Sequence, residues 1–181
     1  MLVYHIMPYV MDTPKSIFPR VPQNHMFSED TKQPRICVSP SLDDCLTAIG
    51  LDFVGITFAK NIITTKSQNP ISELTFPFVI RTYDITQNTE SILHNDKVRA
   101  YVPDADVTHE CWIVQPTKPQ NIYLAWLLDA DVIDTTKYIA DEPCQYTVIK
   151  NSKWSVLPSP PSDILKKTIF DIAKRTILEA T

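Results

Sequence analysis

Three polar side chains stand in apolar segments where they could carry chemistry. His5 lies in the middle of "LVYHIMP", Ser39 follows the apolar run "ICV", and Glu110 opens the run "ECWIV". A carboxylate beside a sugar stabilises the positive charge that develops when a glycosidic bond breaks. A histidine that reaches the ribose hydroxyls fixes the orientation of the sugar and lowers the entropic part of the barrier. The three residues are therefore candidates for one sugar-binding cleft.

A second group of candidates lies in the polar stretch between the first two apolar segments. It contains Arg20 and Asn24 and ends at Arg35. Guanidinium and amide groups can bind a pyrophosphate through directional hydrogen bonds. The chain has only two glycines, Gly50 and Gly55, so phosphate loops of the Rossmann or Walker kind cannot be built. The sequence therefore predicts that side chains take the place of a glycine-rich backbone at any phosphate site.

Composition limits the classes of protein and of partner. At 181 residues, with 44% hydrophobic and 21% charged residues, the chain fits one globular domain spanning 1–181. Its net charge of -4 supplies no basic field, which disfavours nucleic acid as a bulk partner. The apolar amino terminus lacks a basic flank and is too short to span a bilayer, so no membrane partner is predicted.

The four cysteines are scattered, without a C-x-x-C pair. This spacing suggests neither a zinc knuckle nor a compact disulfide framework, and it is typical of free thiols in a reducing cytoplasm. No metal site is predicted either, because no H-E-x-x-H or H-x-H spacing occurs among the histidines. A metal-dependent hydrolase and a Cys111 nucleophile paired with His109 are the least favoured alternatives. The histidines are His5, His25, His94 and His109.

The first half of the chain predicts two strands and a helix. Leu2 to Ile6 reads as a strand, and the proline-punctuated stretch from Pro8 to Pro34 as irregular chain. A short strand from Arg35 to Val38 follows. Ser41 then caps a helix, with Asp44 as its acidic first-turn partner, and the helix stops at Gly50.

The second half is rich in β-branched and aromatic residues separated by turn formers, which predicts a mixed or antiparallel sheet. After Pro161, apolar residues recur at helical spacing and predict a carboxyl-terminal amphipathic helix. The predicted fold class is α+β. The expected strands are "FVGITFA", "FPFVIRTYDI", "VRAYV", "ECWIVQP" and "NIYLAWLLDADVI".

The order of "YHIMP", "ICVSPSLDDCLTAI" and "HECWIVQP" resembles the ADP-ribosyltransferase-like fold, in particular its small phage- and toxin-encoded members. The resemblance implies a split sheet whose strands line a cleft for NAD. It carries the family's first-strand histidine onto His5, its second-strand polar position onto Ser39 and its late-strand glutamate onto Glu110. The sequence departs from the family in two ways: no tyrosine stands at the second-strand position, and no E-x-E pair precedes the late strand.

Two other classes of function stay open. A protein on the same fold could bind NAD, ADP-ribose or a related nucleotide without turning it over, and the missing tyrosine favours this reading. Alternatively, the chain could be an interaction module, such as an inhibitor of a host enzyme, with a protein target. Each site residue also has a structural reading: His5 as a hydrogen-bonded core residue, Ser39 as a turn residue and Glu110 as a solvated strand end.

If the catalytic reading holds, Glu110→Gln abolishes ADP-ribose transfer and NAD glycohydrolysis and leaves thermal stability nearly unchanged. Incubation with labelled NAD and a cell extract measures both activities, and a thermal melt measures stability. Full activity in Glu110→Gln would contradict the catalytic role.

Overall fold

The computed structural model describes residues 1–8, 17–22, 29–49, 77–86, 89–139 and 142–157. Within these ranges the fold is α+β, as predicted, with antiparallel sheets and short helices. The strands are β1 (Leu2–Pro8), β2 (Ile36–Val38), β3 (Pro77–Asp84), β4 (Ile92–Leu93), β5 (Cys111–Ile113), β6 (Asn121–Ile139) and β7 (Glu142–Leu157). The helices are α1 (Leu42–Ile49), α2 (Asn95–Val98) and α3 (Ala105–Thr108), and a 3-10 helix (Thr89–Ser91) precedes β4.

The larger sheet has the order β1-β3-β6-β7, with every neighbouring pair antiparallel. Successive side chains of a strand point to opposite faces, so the register decides which residues meet. His5 pairs with Arg81, and Val3 pairs with Tyr83. These four side chains therefore share one face of the sheet, which we call the His5 face. Ile6 and its partner Ile80 lie on the opposite face.

The smaller sheet has the order β2-β5-β4 and packs against one end of the His5 face. Val3 and Tyr83 join a buried cluster with Val38 and Ile113 of the smaller sheet. The opposite face of the smaller sheet is covered by α2, α3 and their connections, where Trp112 packs in a separate buried cluster. The smaller sheet thus has two buried faces, with different neighbours on each.

Helix α1 covers the other face of the larger sheet, where Cys45 and Leu46 pack against Ile6 and Phe78. Its predicted cap is confirmed: the Asp44 backbone N–H donates to Ser41 Oγ over 3.0 Å. The Ser41 hydroxyl in turn donates to the Asp44 carboxylate over 2.6 Å. The first bond satisfies a backbone N–H at the amino end of the helix, and the second orients the Ser41 hydroxyl that accepts it.

Strands β6 and β7 form a long hairpin that continues beyond the end of β3. β3 pairs with β6 only from Asn121 to Trp126, whereas β7 pairs with β6 out to Ile139. Side chains of α1 bond to the outer edge of β7: Thr47 accepts the N–H of Ile149. An edge strand with unpaired N–H groups can pair with other chains, and bonds of this kind block that pairing.

The structure confirms some predicted elements and corrects one. β1, β2, α1, β3, β5 and β6 lie where their segments were predicted, within one to three residues at most boundaries. The predicted strand "VRAYV" is wrong, because Val98 ends helix α2 and the following residues form a turn. Val98 and Val102 are four residues apart and both pack with Trp112, which is helical rather than strand spacing. The sequence reading did not predict β7.

Other predictions fall outside the described residues. These are the strand "FVGITFA", the helix stop at Gly50, the carboxyl-terminal helix and the position of Asn24. No described helix has the length and apolar character needed to cross a bilayer.

The Asp43 carboxylate makes a second set of bonds to the β7 edge, accepting the N–H groups of Asn151 and Ser152 over 3.0 Å each. We expect Asp43→Ala to lower the free energy of unfolding by about 1–3 kcal/mol, because two backbone donors lose a charged acceptor. Chemical denaturation measures the change. The control Asp96→Ala, at an exposed position of α2, should change it by less than about 0.5 kcal/mol; equal losses in both variants would contradict this role of Asp43.

Candidate functional site

The candidate site lies on the His5 face of the larger sheet. Arg81 is directly opposite His5 in the β1–β3 ladder and is fully buried, at 0% exposure. Tyr83, two residues further along β3 and therefore on the same face, is 1% exposed. His5 itself is half-buried, and its Nδ1 atom is shielded from solvent.

Arg20 approaches the same histidine from outside the sheet. The backbone of Arg20 exchanges two hydrogen bonds with the backbone of Arg35, at 3.1 and 3.0 Å, which ties the 17–22 segment to the start of β2. Ile17 packs against the buried cluster between the sheets and anchors the other end of this segment. Arg20 is exposed and its charge acts on His5. Two predicted ligand residues, His5 and Arg20, are therefore close enough to interact electrostatically.

The electrostatics of the group favour a neutral imidazole. Burial, together with the positive charges of Arg81 and Arg20, lowers the pKa of His5 to about 3. The described charges that act on His5 are both positive. Burial also lowers the pKa of Arg81 and raises that of Tyr83, whose hydroxyl therefore stays protonated at neutral pH. The group combines two guanidinium ions with two neutral hydrogen-bonding side chains.

The Nδ1 atom of His5 and the hydroxyl oxygen of Tyr83 have no hydrogen-bond partner among the described residues, and both are shielded from solvent. Buried polar atoms in folded proteins are nearly always hydrogen-bonded, and an exception calls for an explanation such as a bound group. The positive charges beside these atoms would favour an anion.

Glu110 lies in a different environment. Its carboxylate accepts a hydrogen bond from the indole N–H of Trp112 over 2.6 Å, and the side chain is 7% exposed. Burial raises the pKa of Glu110, against the opposing effect of hydrogen bonds from Cys37 and Trp112. The predicted solvated strand end is therefore wrong. A glutamine at this position would keep an acceptor for the indole, so the expected stability of Glu110→Gln stands as a prediction.

The structure does not bring His5 and Glu110 together. Cys111 and Ile113 of β5 face the cluster that contains Val3, on the side where His5 lies. Glu110 bonds instead to Trp112, which packs on the other face of the same strand. The smaller sheet thus lies between the two side chains. His5 and Glu110 do not line one cleft, contrary to the prediction.

Arg35 belongs to the Glu110 side. It is 2% exposed, and its guanidinium lies 4.1 Å from the centroid of the Trp112 ring. It forms an ion pair with Glu29 and donates to the backbone oxygen of Asp30 over 2.9 Å. A guanidinium held by an aromatic ring, a carboxylate and a carbonyl is structural, so Arg35 is poorly placed to bind a pyrophosphate.

Ser39 joins the two sheets through its backbone. It exchanges hydrogen bonds of 2.8 and 2.9 Å with Tyr4, and its residue is 2% exposed. Its side chain lies near the thiol of Cys45, where a hydrogen bond from Ser39 partly opposes the rise that burial causes in the pKa of that thiol. Ser39 therefore pairs with Tyr4, the neighbour of His5 in the chain, but its side chain lies near Cys45 and not beside His5.

The sequence reading missed Arg81 and Tyr83. The signal was a single arginine in the apolar run "FPFVIRTYDI", which is as notable as the histidine in β1. Which residue Arg81 lies opposite depends on the β1–β3 register. No tight turn connects these two strands, so the sequence does not specify that register.

The alternative chemistries gain no support from the described residues. No cluster of three or more potential metal ligands occurs among them. His109 contacts the Asp44 carboxylate through Nδ1 at 3.0 Å, and the Cys111 thiol donates to the backbone oxygen of His109. The imidazole of His109 is therefore not the partner of that thiol.

Comparison with models of known protein families, with curated proteins and with solved structures found no match in any of the three. The resemblance to ADP-ribosyltransferases, and the split-sheet arrangement that it implies, therefore stay predictions. The coarser α+β architecture rests on the structure alone.

The lowered pKa of His5 makes stability depend on pH in a defined window. Between its ordinary pKa of 6.5 and about 3, the unfolded chain binds a proton at His5 and the native protein does not. This residue should thus remove about 1.4 kcal/mol of unfolding free energy per pH unit as the pH falls through that window. Denaturation at several pH values should show a shallower acid loss in His5→Gln than in the parent protein. The same slope in both proteins would contradict the assignment, and His94→Gln serves as the control.

Proposed function

We propose that the protein binds NAD or a related nucleotide on the His5 face and does not turn it over. The observation that carries this proposal is the pairing of Arg81 with His5, on which the charge of Arg20 also acts, beside polar atoms that lack partners among the described residues. Arginine is well suited to phosphate because its planar, permanently charged fork donates two parallel hydrogen bonds. This site would serve in place of a glycine-rich loop.

The surroundings of Arg20 suit the rest of a nucleotide. Phe18, two residues before Arg20, is 68% exposed. An exposed aromatic ring beside a cation can stack on a base, a contact that contributes about 1–3 kcal/mol in single-stranded nucleic-acid complexes. The phosphates would then lie inward, toward Arg81, and the base outward, toward Phe18. Any nucleotide with an aromatic base and a phosphate fits this description.

ADP-ribose transfer has weaker support than binding. Stabilisation of an oxocarbenium-like state requires a carboxylate next to the ribose. Glu110 is buried against Trp112 and Cys37, on the far side of the smaller sheet from His5. Binding without turnover fits this separation, and it also fits the absence of the second-strand tyrosine.

We place this function in the cytoplasm. All four cysteines are free thiols, as expected in a reducing compartment. A binding protein without turnover could sequester a signalling nucleotide, a role that suits the resemblance to small phage-encoded proteins and does not require a protein target.

Titration calorimetry with NAD and ADP-ribose tests the proposal. We expect Arg20→Ala to weaken binding about 10- to 100-fold, because a charged hydrogen bond is worth about 1.5–3 kcal/mol. The matched control is Arg99→Ala, an exposed arginine that pairs with Asp106 on α3 and should leave affinity unchanged. Nicotinamide release should be absent in all three proteins. Equal affinity of the parent protein and Arg20→Ala, or no binding by the parent, would overturn the assignment.

A further inference from the structure

The buried part of the site suggests a specific mode of anion binding, which rests on the proposed function and deepens it. His5 Nδ1 and the Tyr83 hydroxyl are shielded from solvent and lack partners among the described residues. Both lie on the His5 face together with Arg81. These atoms are the buried part of the proposed site, and Arg20 is its exposed part.

The groups that face His5 come from several elements. β3 contributes Arg81 and Tyr83, and the 17–22 segment contributes Arg20. Nearby on β5, Cys111 packs in the cluster with Val3 and Tyr83, and burial raises the pKa of its thiol, which stays neutral. None of these groups carries a negative charge at neutral pH. Among the described groups, the charges that act on the imidazole are therefore positive, and a doubly charged anion would balance them.

We propose that this site binds a doubly charged phosphate group together with one proton, which His5 takes up. A proton on His5 turns both ring nitrogens into donors, so Nδ1 can donate to the anion. The Tyr83 hydroxyl donates a second neutral hydrogen bond, and the two guanidinium groups donate charged ones. Among nucleotides related to NAD, the site should therefore prefer one with a terminal phosphate monoester, which carries close to two negative charges on one phosphate at neutral pH. NAD and ADP-ribose carry one charge on each phosphate, so they should bind with less proton uptake.

Thermodynamic linkage gives the proposal a measurable consequence. If binding takes up a proton, affinity rises as the pH falls, by up to about tenfold per pH unit while one proton is fully coupled. Inorganic sulfate is a useful probe because it remains doubly charged near neutral pH and does not itself titrate. Proton uptake measured with sulfate therefore belongs to the protein.

Calorimetric titration of AMP and of sodium sulfate at pH 7.5, in buffers with different ionisation enthalpies, measures the number of protons exchanged. We expect a positive uptake, smaller than one proton, with both ligands in the parent protein. His5→Gln should lose this uptake and bind more weakly, whereas the control His94→Gln should keep it. Tyr83→Phe should weaken binding about 5- to 10-fold and leave the proton count unchanged.

The outcomes separate this inference from the proposed function. Binding of AMP without buffer-dependent heat in the parent protein would overturn the inference and leave nucleotide binding intact. Binding of sulfate with proton uptake, but of no nucleotide, would overturn the proposed function and support the inference. If neither ligand binds, both fail. The parent protein decides these cases, so they do not depend on whether His5→Gln folds.

Discussion

The antiparallel pairing of β1 with β3 is the constraint on which the rest of the site depends. It sets His5 opposite Arg81 and Val3 opposite Tyr83. Because side chains alternate between faces, a shift of one residue in this register would move Arg81 to the α1 side and bring Ile80 or Thr82 opposite His5. The packing of Val3 and Tyr83 against the smaller sheet fixes this register. The same apolar contacts that stabilise the fold therefore determine which polar groups meet.

The protein separates its buried polar groups into two environments. On one side of the smaller sheet, Arg35 is matched by Glu29, by backbone oxygens and by the Trp112 ring, while Glu110 accepts the indole N–H. Matched buried charges of this kind specify a particular packing of the chain, and removing one partner is costly. On the other side, positive groups surround a neutral histidine. We therefore interpret the first environment as structural and the second as the binding site.

Much of the fold could be predicted from local sequence. The cap at Ser41, the apolar spacing of α1 and the alternating or β-branched strands depend on neighbouring residues, and the structure places these elements as expected. The strand prediction for "VRAYV" was wrong because a segment of five residues can match both the strand and the helix pattern of apolar residues. Packing against Trp112 favours the helical spacing here. The site was less accessible to prediction. His5 and Arg20 were identified, but Arg81 and Tyr83 depend on a long-range register, and the separation of Glu110 from His5 depends on how the sheets stack.

The most direct test is nuclear magnetic resonance of the four histidine side chains during titration with ADP-ribose. We expect the imidazole signals of His5 to shift with ligand concentration, since its ring lies at the proposed phosphate site. The signals of His94 and His109, which lie on other elements, should stay in place. A shift at His109 without one at His5 would locate the nucleotide elsewhere and contradict the central claim.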